Sequence, residues 1–310
     1  MKKSMLIHPH ELSKKWIDKM VTLGVDTLGI HPVGGKDAHD SLVQLLKDVQ
    51  KPEFRALIDY ACDKGLSIAY ELHAASFLLP RALFDVHPEY FRMDEDGKRV
   101  REYNFCPSNP EAMQIVVSNA VQLAKLLYRS APQYYFWLDD AKNVGCRCDK
   151  CRHLSDSDQQ LTVLNAILKA LQKEDENAKL AYLAYYSTIT PPESVKPADG
   201  IFAEYAPFER DFKKPLSADD KAETDNIKAL LAYFGTKDSK VLEYWYDNSL
   251  FSKWDQEHIQ KLCPDNALIR NDIEYYKAFG FEGISTFACF LGADYEKLYG
   301  EPDLSGFAEL

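Results

Sequence analysis

The chain has 310 residues, 46% of them hydrophobic and 12% aromatic, enough to bury about three-quarters of the unfolded surface and too many for a disordered or disulfide-stapled module. Thirty-seven basic residues against 48 acidic ones give a net charge of −11; spread without a long single-sign block, it argues against generic nucleic-acid or anionic-membrane partners. No apolar stretch approaches the roughly 20 residues that span a bilayer, and the apolar run Met5-Leu6-Ile7 is too short for a signal peptide, so a cytoplasmic location is expected.

In chain order, eight β-rich apolar runs stand out: residues 5–8, 25–31, 67–73, 134–139, 179–186, 200–205, 240–246 and 283–290. Most are apolar on both faces, as strands covered by helices should be. The intervening segments read as helices. In 109–128, Asn109 can cap, Pro110 suits the first turn, and Ile115, Val116, Ala120, Leu123 and Leu127 form an apolar stripe; in 157–173, Leu161, Leu164, Leu168 and Leu171 do the same. Lys64-Gly65 is a helix-to-strand turn. The alternation predicts an α/β fold, a (β/α)8 barrel of the TIM type, as a single domain over 1–310, with an open doubly wound sheet as the alternative. Between the fifth and sixth runs, Pro191-Pro192-Glu193-Ser194-Val195-Lys196-Pro197 leaves no room for a full helix, so one barrel helix is expected to be missing or replaced. Gly34-Gly35 lacks the spacing of a phosphate-binding loop.

In a barrel the chemistry sits at the carboxyl ends of the strands. Those ends supply His8, His31, Glu71, His73, Asp139, Asp140, Tyr185, Tyr186, Glu204, Tyr205 and the segment Glu243 to Asn248. Carboxylates among aromatic rings suit a neutral polyhydroxylated ligand, because acids accept from hydroxyls and ring faces stack on sugars. The sharpest feature is Tyr134-Tyr135-Phe136-Trp137-Leu138-Asp139-Asp140. Two adjacent carboxyls behind an apolar strand must emerge at its end, and their mutual repulsion in a partly dry site would let one stay protonated as an acid while the other remains anionic, as glycosidic cleavage requires. The bland alternative is that Asp139 merely anchors the following loop and Asp140 caps a turn.

The next loop, Cys146-Arg147-Cys148-Asp149-Lys150-Cys151-Arg152-His153, has the ligand types of a closed tetrahedral zinc site, with Cys106 as an alternative fourth ligand. A complete Cys/His shell would brace the loop and leave no position to activate water, so no cofactor is expected for catalysis. Reduced free thiols are the competing reading. Cys62, Cys263 and Cys289 read as ordinary core cysteines. The long segment 74–105, which includes His87, is a candidate cleft wall. In 243–248, Glu243, Trp245 and Asp247 alternate with Tyr244 and Tyr246.

The landmarks Trp137-Leu138-Asp139-Asp140, the cysteine loop, Ser155-Asp156, His87-Pro88-Glu89-Tyr90-Phe91, Cys106-Pro107-Ser108-Asn109-Pro110-Glu111, Ala184-Tyr185, Pro191-Pro192 and Gly283-Ile284-Ser285-Thr286 together resemble the domain of unknown function 4838. The likeness runs from about residue 24 to 290. It implies a TIM-barrel glycoside hydrolase, related to the endo-β-N-acetylglucosaminidases of glycoside hydrolase family 163. Asp139-Asp140 is similar to the Asp-Asp pair of O-GlcNAcases, less so to the Asp-Glu pair of hexosaminidases. The resemblance implies a substrate-assisted mechanism in which Asp139 polarises an acetamido group and Asp140 is the acid and base. The accessory modules of secreted members are not present in this sequence, which implies small carbohydrates as substrates. The expectation is therefore a retaining hydrolase of N-acetylhexosamine glycans or glycosides, with His31, Glu71, His73, Tyr185, Glu204, Tyr205, Trp245, Tyr246 and Asp247 lining the sugar site and Cys146, Cys148, Cys151 and His153 as zinc ligands. An ordinary pair of carboxylates, Asp140 with Glu204 or Glu243, is the variant mechanism. The rival functions are a metal-dependent sugar isomerase or lyase built on Glu71, His73, Asp140 and Glu204, and a non-catalytic carbohydrate-binding barrel.

Overall fold

The computed structural model describes residues 1–216 and 220–308. In chain order the elements are β1 (Lys2–Ile7), α1 (Lys14–Thr22), β2 (Thr27–Ile30), α2 (Ala38–Asp48), α3 (Pro52–Asp63), β3 (Ser67–His73), α4 (Ala75–Leu78), α5 (Pro110–Leu126), β4 (Gln133–Trp137), α6 (Asp156–Glu174), β5 (Lys179–Ala184), β6 (Ile201–Tyr205), α7 (Lys221–Phe234), β7 (Lys240–Glu243), α8 (Asn248–Phe251), α9 (Asn266–Phe279), β8 (Gly283–Phe287) and α10 (Ala293–Tyr299). The strands follow one another in sequence order and close into a barrel, with parallel pairings such as β1 on β8 and β3 on β4. This is the TIM-type α/β architecture expected from the alternation, with flanking helices. The chain falls into two compact units, residues 1–31, 51–69 and 204–310 in one, and 32–50 and 70–203 in the other.

In the first unit, β1 begins at Lys2, three residues earlier than its apolar run. Lys2 to Leu6 pair with Gly283 to Phe287. The sequence hides this because Lys3 looks like a surface residue, yet it is buried. Its Nζ donates to the carbonyls of Leu23 at 2.6 Å, Phe307 at 3.1 Å and Ala308 at 3.2 Å. Three carbonyls satisfy the ammonium and let its stem pack as apolar surface. Gly280 closes α9 with φ of 90°, a left-handed conformation that glycine adopts without steric cost.

In the second unit, Asn109 caps α5 by accepting from Ala112 N at 3.0 Å, with Pro110 in the first turn. Ser155 caps α6 by accepting from Asp158 N at 3.0 Å. Both caps precede the apolar stripes read from the sequence. The connection from β5 to β6 holds one short 3-10 turn, Tyr186–Thr188, and no α-helix. A carboxylate organises what replaces the helix: Asp158 Oδ1 accepts backbone N–H bonds from Glu193 at 3.1 Å, Ser194 at 2.8 Å and Val195 at 2.9 Å. Burial raises the pKa of Asp158, but the donors at Ser194, Val195 and Ser155 outweigh it and hold the group below the usual aspartate range.

Because that folded-state pKa is depressed, the Asp158 contribution to stability is present above the unfolded value near 4 and is lost as the pH falls through the lower folded value. Asp158→Ala strands three N–H groups and should lower unfolding free energy by roughly 2–4 kcal/mol. Urea denaturation at pH 7 and pH 3 measures this, and the difference between wild type and variant should shrink at the acid end.

Candidate active site

Strand β4 is buried from Tyr135 to Trp137, and the chain leaves it at Leu138, so Asp139 and Asp140 emerge together just past its carboxyl end, both half-buried. Their surroundings differ. Asp139 Oδ2 is ion-paired with Arg81 Nη2 and accepts from Asn104 N at 2.5 Å, while Asp139 N donates to Asn104 Oδ1 at 2.9 Å. Tyr103 and Asn104 both adopt left-handed backbone, φ 58° and 37°, a region asparagine tolerates better than most residues and one that turns the Asn104 N–H onto the carboxylate. Asp140 Oδ1 instead accepts from the Tyr185 hydroxyl at 3.0 Å. One carboxylate thus has a cation and an amide, its neighbour a phenol.

His73 ends β3 beside this pair. Its Nδ1 lies 2.8 Å from the carbonyl of Leu138, which puts a proton on that nitrogen, and its ring meets Trp137 edge-on at 5.1 Å. Gly34, in the loop after β2, packs against both groups. A Cβ there would stand 3.0 Å from His73 Cδ2 and 3.5 Å from Asp140 Oδ2. Asp139, His73, Asn104, Tyr185, Ser187 and Gln160 are among the residues lining an open recess. His73, Tyr185, Asp139 and Asp140 are therefore brought together as the strand-end pattern predicts. Arg81, Asn104 and Gly34 were not anticipated. For Arg81 and Asn104 the length of the 74–105 loop was the only signal, and nothing singled out an arginine within it; Gly34 lies in the loop after β2, where only the absence of a phosphate-loop spacing had been read.

Glu71, also expected at the sugar site, is fully enclosed; it is in register with Tyr135 two residues below His73. In the other unit, His31 lies at the end of β2 but is buried, edge-on to Phe287 at 5.1 Å, with its carbonyl 2.8 Å from His8 Nδ1. Burial drives the pKa of His8 down to about 4. Glu204 is ion-paired with Lys240 at 2.9 Å with no exposure.

The remaining predicted lining residues need correction. The Tyr205 hydroxyl donates to Glu223 of α7, Trp245 Nε1 donates to Asp272 of α9 at 3.0 Å, and the Tyr246 hydroxyl donates to Asn266 of α9 at 3.1 Å. All three face helices. Asp247 caps α8 through the amides of Ser249 and Leu250. For Trp245, Tyr246 and Asp247 the physical reason is that β7 ends at Glu243, so strand alternation no longer governs the following residues; Tyr205 is the last residue of β6, and Glu243 itself is buried against Arg210 and Tyr276.

The cysteine loop also differs from expectation in its fourth member. The Sγ atoms of Cys106, Cys146, Cys148 and Cys151 lie within 4.8 Å of one another and all four residues are buried, whereas His153 is exposed and outside the group. Cys106 reaches the cluster because the 74–105 loop folds back on the one after β4: Cys106 N donates to Tyr90 O at 2.9 Å and Arg147 N to Met93 O at 2.8 Å. Among the described residues this is the grouping of three or more His, Cys, Asp or Glu close enough to share a metal ion.

Residues 44–292 match the family described as a domain of unknown function, DUF4838. No curated protein matches the chain. Among solved structures it is similar to a β-galactosidase from the psychrophilic Marinomonas ef1, with 11% identity and a TM-score of 0.50 over 92% of this chain; the chain spans 54% of that protein's length. It is similar to a glycoside hydrolase family 5 enzyme from Prevotella bryantii, with 9% identity, TM-score 0.55, and coverage of 96% and 85% of the two chains. A third similarity is to a family 20 catalytic module of the pneumococcal exo-β-D-N-acetylglucosaminidase, at 11% identity, TM-score 0.50, and coverage of 99% and 83%. At these identities the likeness is one of fold. No helix among the described residues is long and apolar enough to cross a membrane.

Replacing Arg81 by Met would leave a carboxylate with 9% side-chain exposure facing Asn104 without its cation. The expected loss of stability is roughly 1–3 kcal/mol, measured by chemical denaturation, with Arg81→Lys recovering part of it.

Proposed function

The chain belongs to the DUF4838 family, and on that footing we propose that it is a glycoside hydrolase that cleaves N-acetylhexosamine-containing glycans or glycosides with retention of configuration. The observation that carries the reading is the unequal company of two adjacent carboxyls: Asp139 is fastened by Arg81 and Asn104, and Asp140 is met by the Tyr185 hydroxyl. Cleavage assisted by the substrate needs one group of each kind. The acetamido carbonyl oxygen attacks the anomeric carbon as the glycosidic bond breaks, and Asp140 gives its proton to the leaving oxygen. Asp139 accepts from the acetamido N–H and offsets the positive charge that develops on the oxazolinium ring. Water then opens that ring, with Asp140 taking the proton. Tyr185 fixes the orientation of Asp140 throughout.

The fold supports the general class, since the three similar structures are a β-galactosidase, a family 5 glycoside hydrolase and a family 20 module. The state of the other carboxylates favours substrate assistance over a protein nucleophile. Glu204 and Glu243 are wholly buried, one against Lys240 and the other against Arg210, and a carboxylate so engaged has a desolvated cation to leave behind before it can attack. A sugar isomerase or lyase would need Glu71, His73, Asp140 and Glu204 converging on a metal, and the close ligand grouping among the described residues is made of cysteines instead.

On aryl glycosides, N-acetylglucosaminides should be hydrolysed in preference to matching glucosides and uronides, with inhibition by a thiazoline. Asp140→Asn should lower kcat by about 10²–10⁴-fold, with the smaller loss on the best leaving groups, while Asp139→Asn should slow all of them. Glucoside hydrolysis insensitive to the thiazoline would eliminate the acetamido mechanism. Unchanged ligand affinity without turnover, in wild type and Asp140→Asn alike, would mark a binding protein.

A further inference from the structure

We propose that Cys106, Cys146, Cys148 and Cys151 form a tetrathiolate zinc site that ties the loop after β3 to the loop after β4. The site lies outside the proposed chemistry and stands independently of it. The Cys106 sulfur is 3.7 Å from that of Cys148 and 3.8 Å from that of Cys151. A disulfide requires about 2.05 Å, whereas thiolates about 2.3 Å from a tetrahedral zinc lie about 3.8 Å apart. Those two spacings match ligands around a common centre, and all four sulfurs lie within 4.8 Å of one another.

The surroundings are built for that centre. Met93 N donates to Cys146 Sγ at 3.3 Å, and Ser108 Oγ lies 3.0 Å from Cys151 Sγ. The Arg99 guanidinium approaches Cys146 Sγ at 3.9 Å and supplies positive charge where four thiolates on one dication would leave a net negative site. Between Cys148 and Cys151 the chain turns tightly, with the carbonyl of Cys148 accepting from Cys151 N at 2.9 Å and Arg152 N at 2.8 Å. Gln159 of α6 then pins the loop from behind: its Oε1 accepts from Cys146 N at 2.7 Å, and its Nε2 donates to the carbonyls of Cys146 at 3.1 Å and Cys151 at 3.4 Å. Four soft ligands leave no position for water or substrate, so the metal would be structural. Its effect on the acids is positional. Cys106 is two residues from Asn104, which clasps Asp139, and Cys146 is six residues beyond Asp140.

The test is metal analysis of the full chain purified without chelators from zinc-replete cells. One zinc per chain is expected, lost in Cys106→Ser and Cys148→Ser and retained in His153→Ala. Should the serine variants be insoluble, exchange of cobalt(II) into the wild-type protein reads the same ligands, through intense sulfur-to-cobalt charge-transfer bands and tetrahedral ligand-field bands. Metal-free protein with four freely reactive thiols, iron in place of zinc, or loss of metal in His153→Ala would each overturn the assignment.

Discussion

The second unit depends on one reciprocal clasp. Asp139 and Asn104 each give a backbone N–H to the other's side-chain oxygen, and Arg81 adds its charge to the same carboxylate. Two loops that are far apart in sequence are thereby held at the atoms that matter most, because the residue so fastened is the immediate neighbour of Asp140. The two adjacent carboxyls keep unequal company: a guanidinium and a backbone amide lie beside one, a phenol beside the other.

A similar economy governs the β5–β6 connection, where proline spacing excludes a helix and a single carboxylate takes over its role. Asp158 collects three successive amides from the returning chain, while Ser157 of the same helix donates to Thr190 O at 2.5 Å. The first turn of α6 thus both caps its own helix and secures the loop that replaces the next one. Its neighbour Gln159 faces the cysteine loop. Three consecutive polar residues of α6, buried by 96% or more, serve two backbone segments, the β5–β6 connection and the cysteine loop, which explains why they are polar at all.

The barrel and the absent helix were legible in the sequence because both depend on local pattern: period, proline spacing and strand length. The placement of Asp139 and Asp140 just past β4 was legible for a related reason, since an apolar strand must discharge its carboxyls at its end. Three kinds of information were not local. Lys3 has the composition of a surface residue, and carbonyls from two remote places, Leu23 and Phe307 with Ala308, make its burial tolerable. Trp245, Tyr246 and Asp247 carry groups suited to sugars, but a strand that stops at Glu243 turns them onto helices, and no periodicity announces where pairing stops. Cys106 and His153 were equally good fourth ligands by type. The choice fell to a loop closure about 40 residues long that spacing within the cysteine loop could not anticipate.

Gly34 has a consequence of its own. A carbon added to its Cα would crowd the imidazole of His73 at 3.0 Å and come within 3.5 Å of the Asp140 carboxyl, so the loop after β2 lies this near to both only because the residue carries no side chain. One methyl there obliges the histidine ring or the loop to give way.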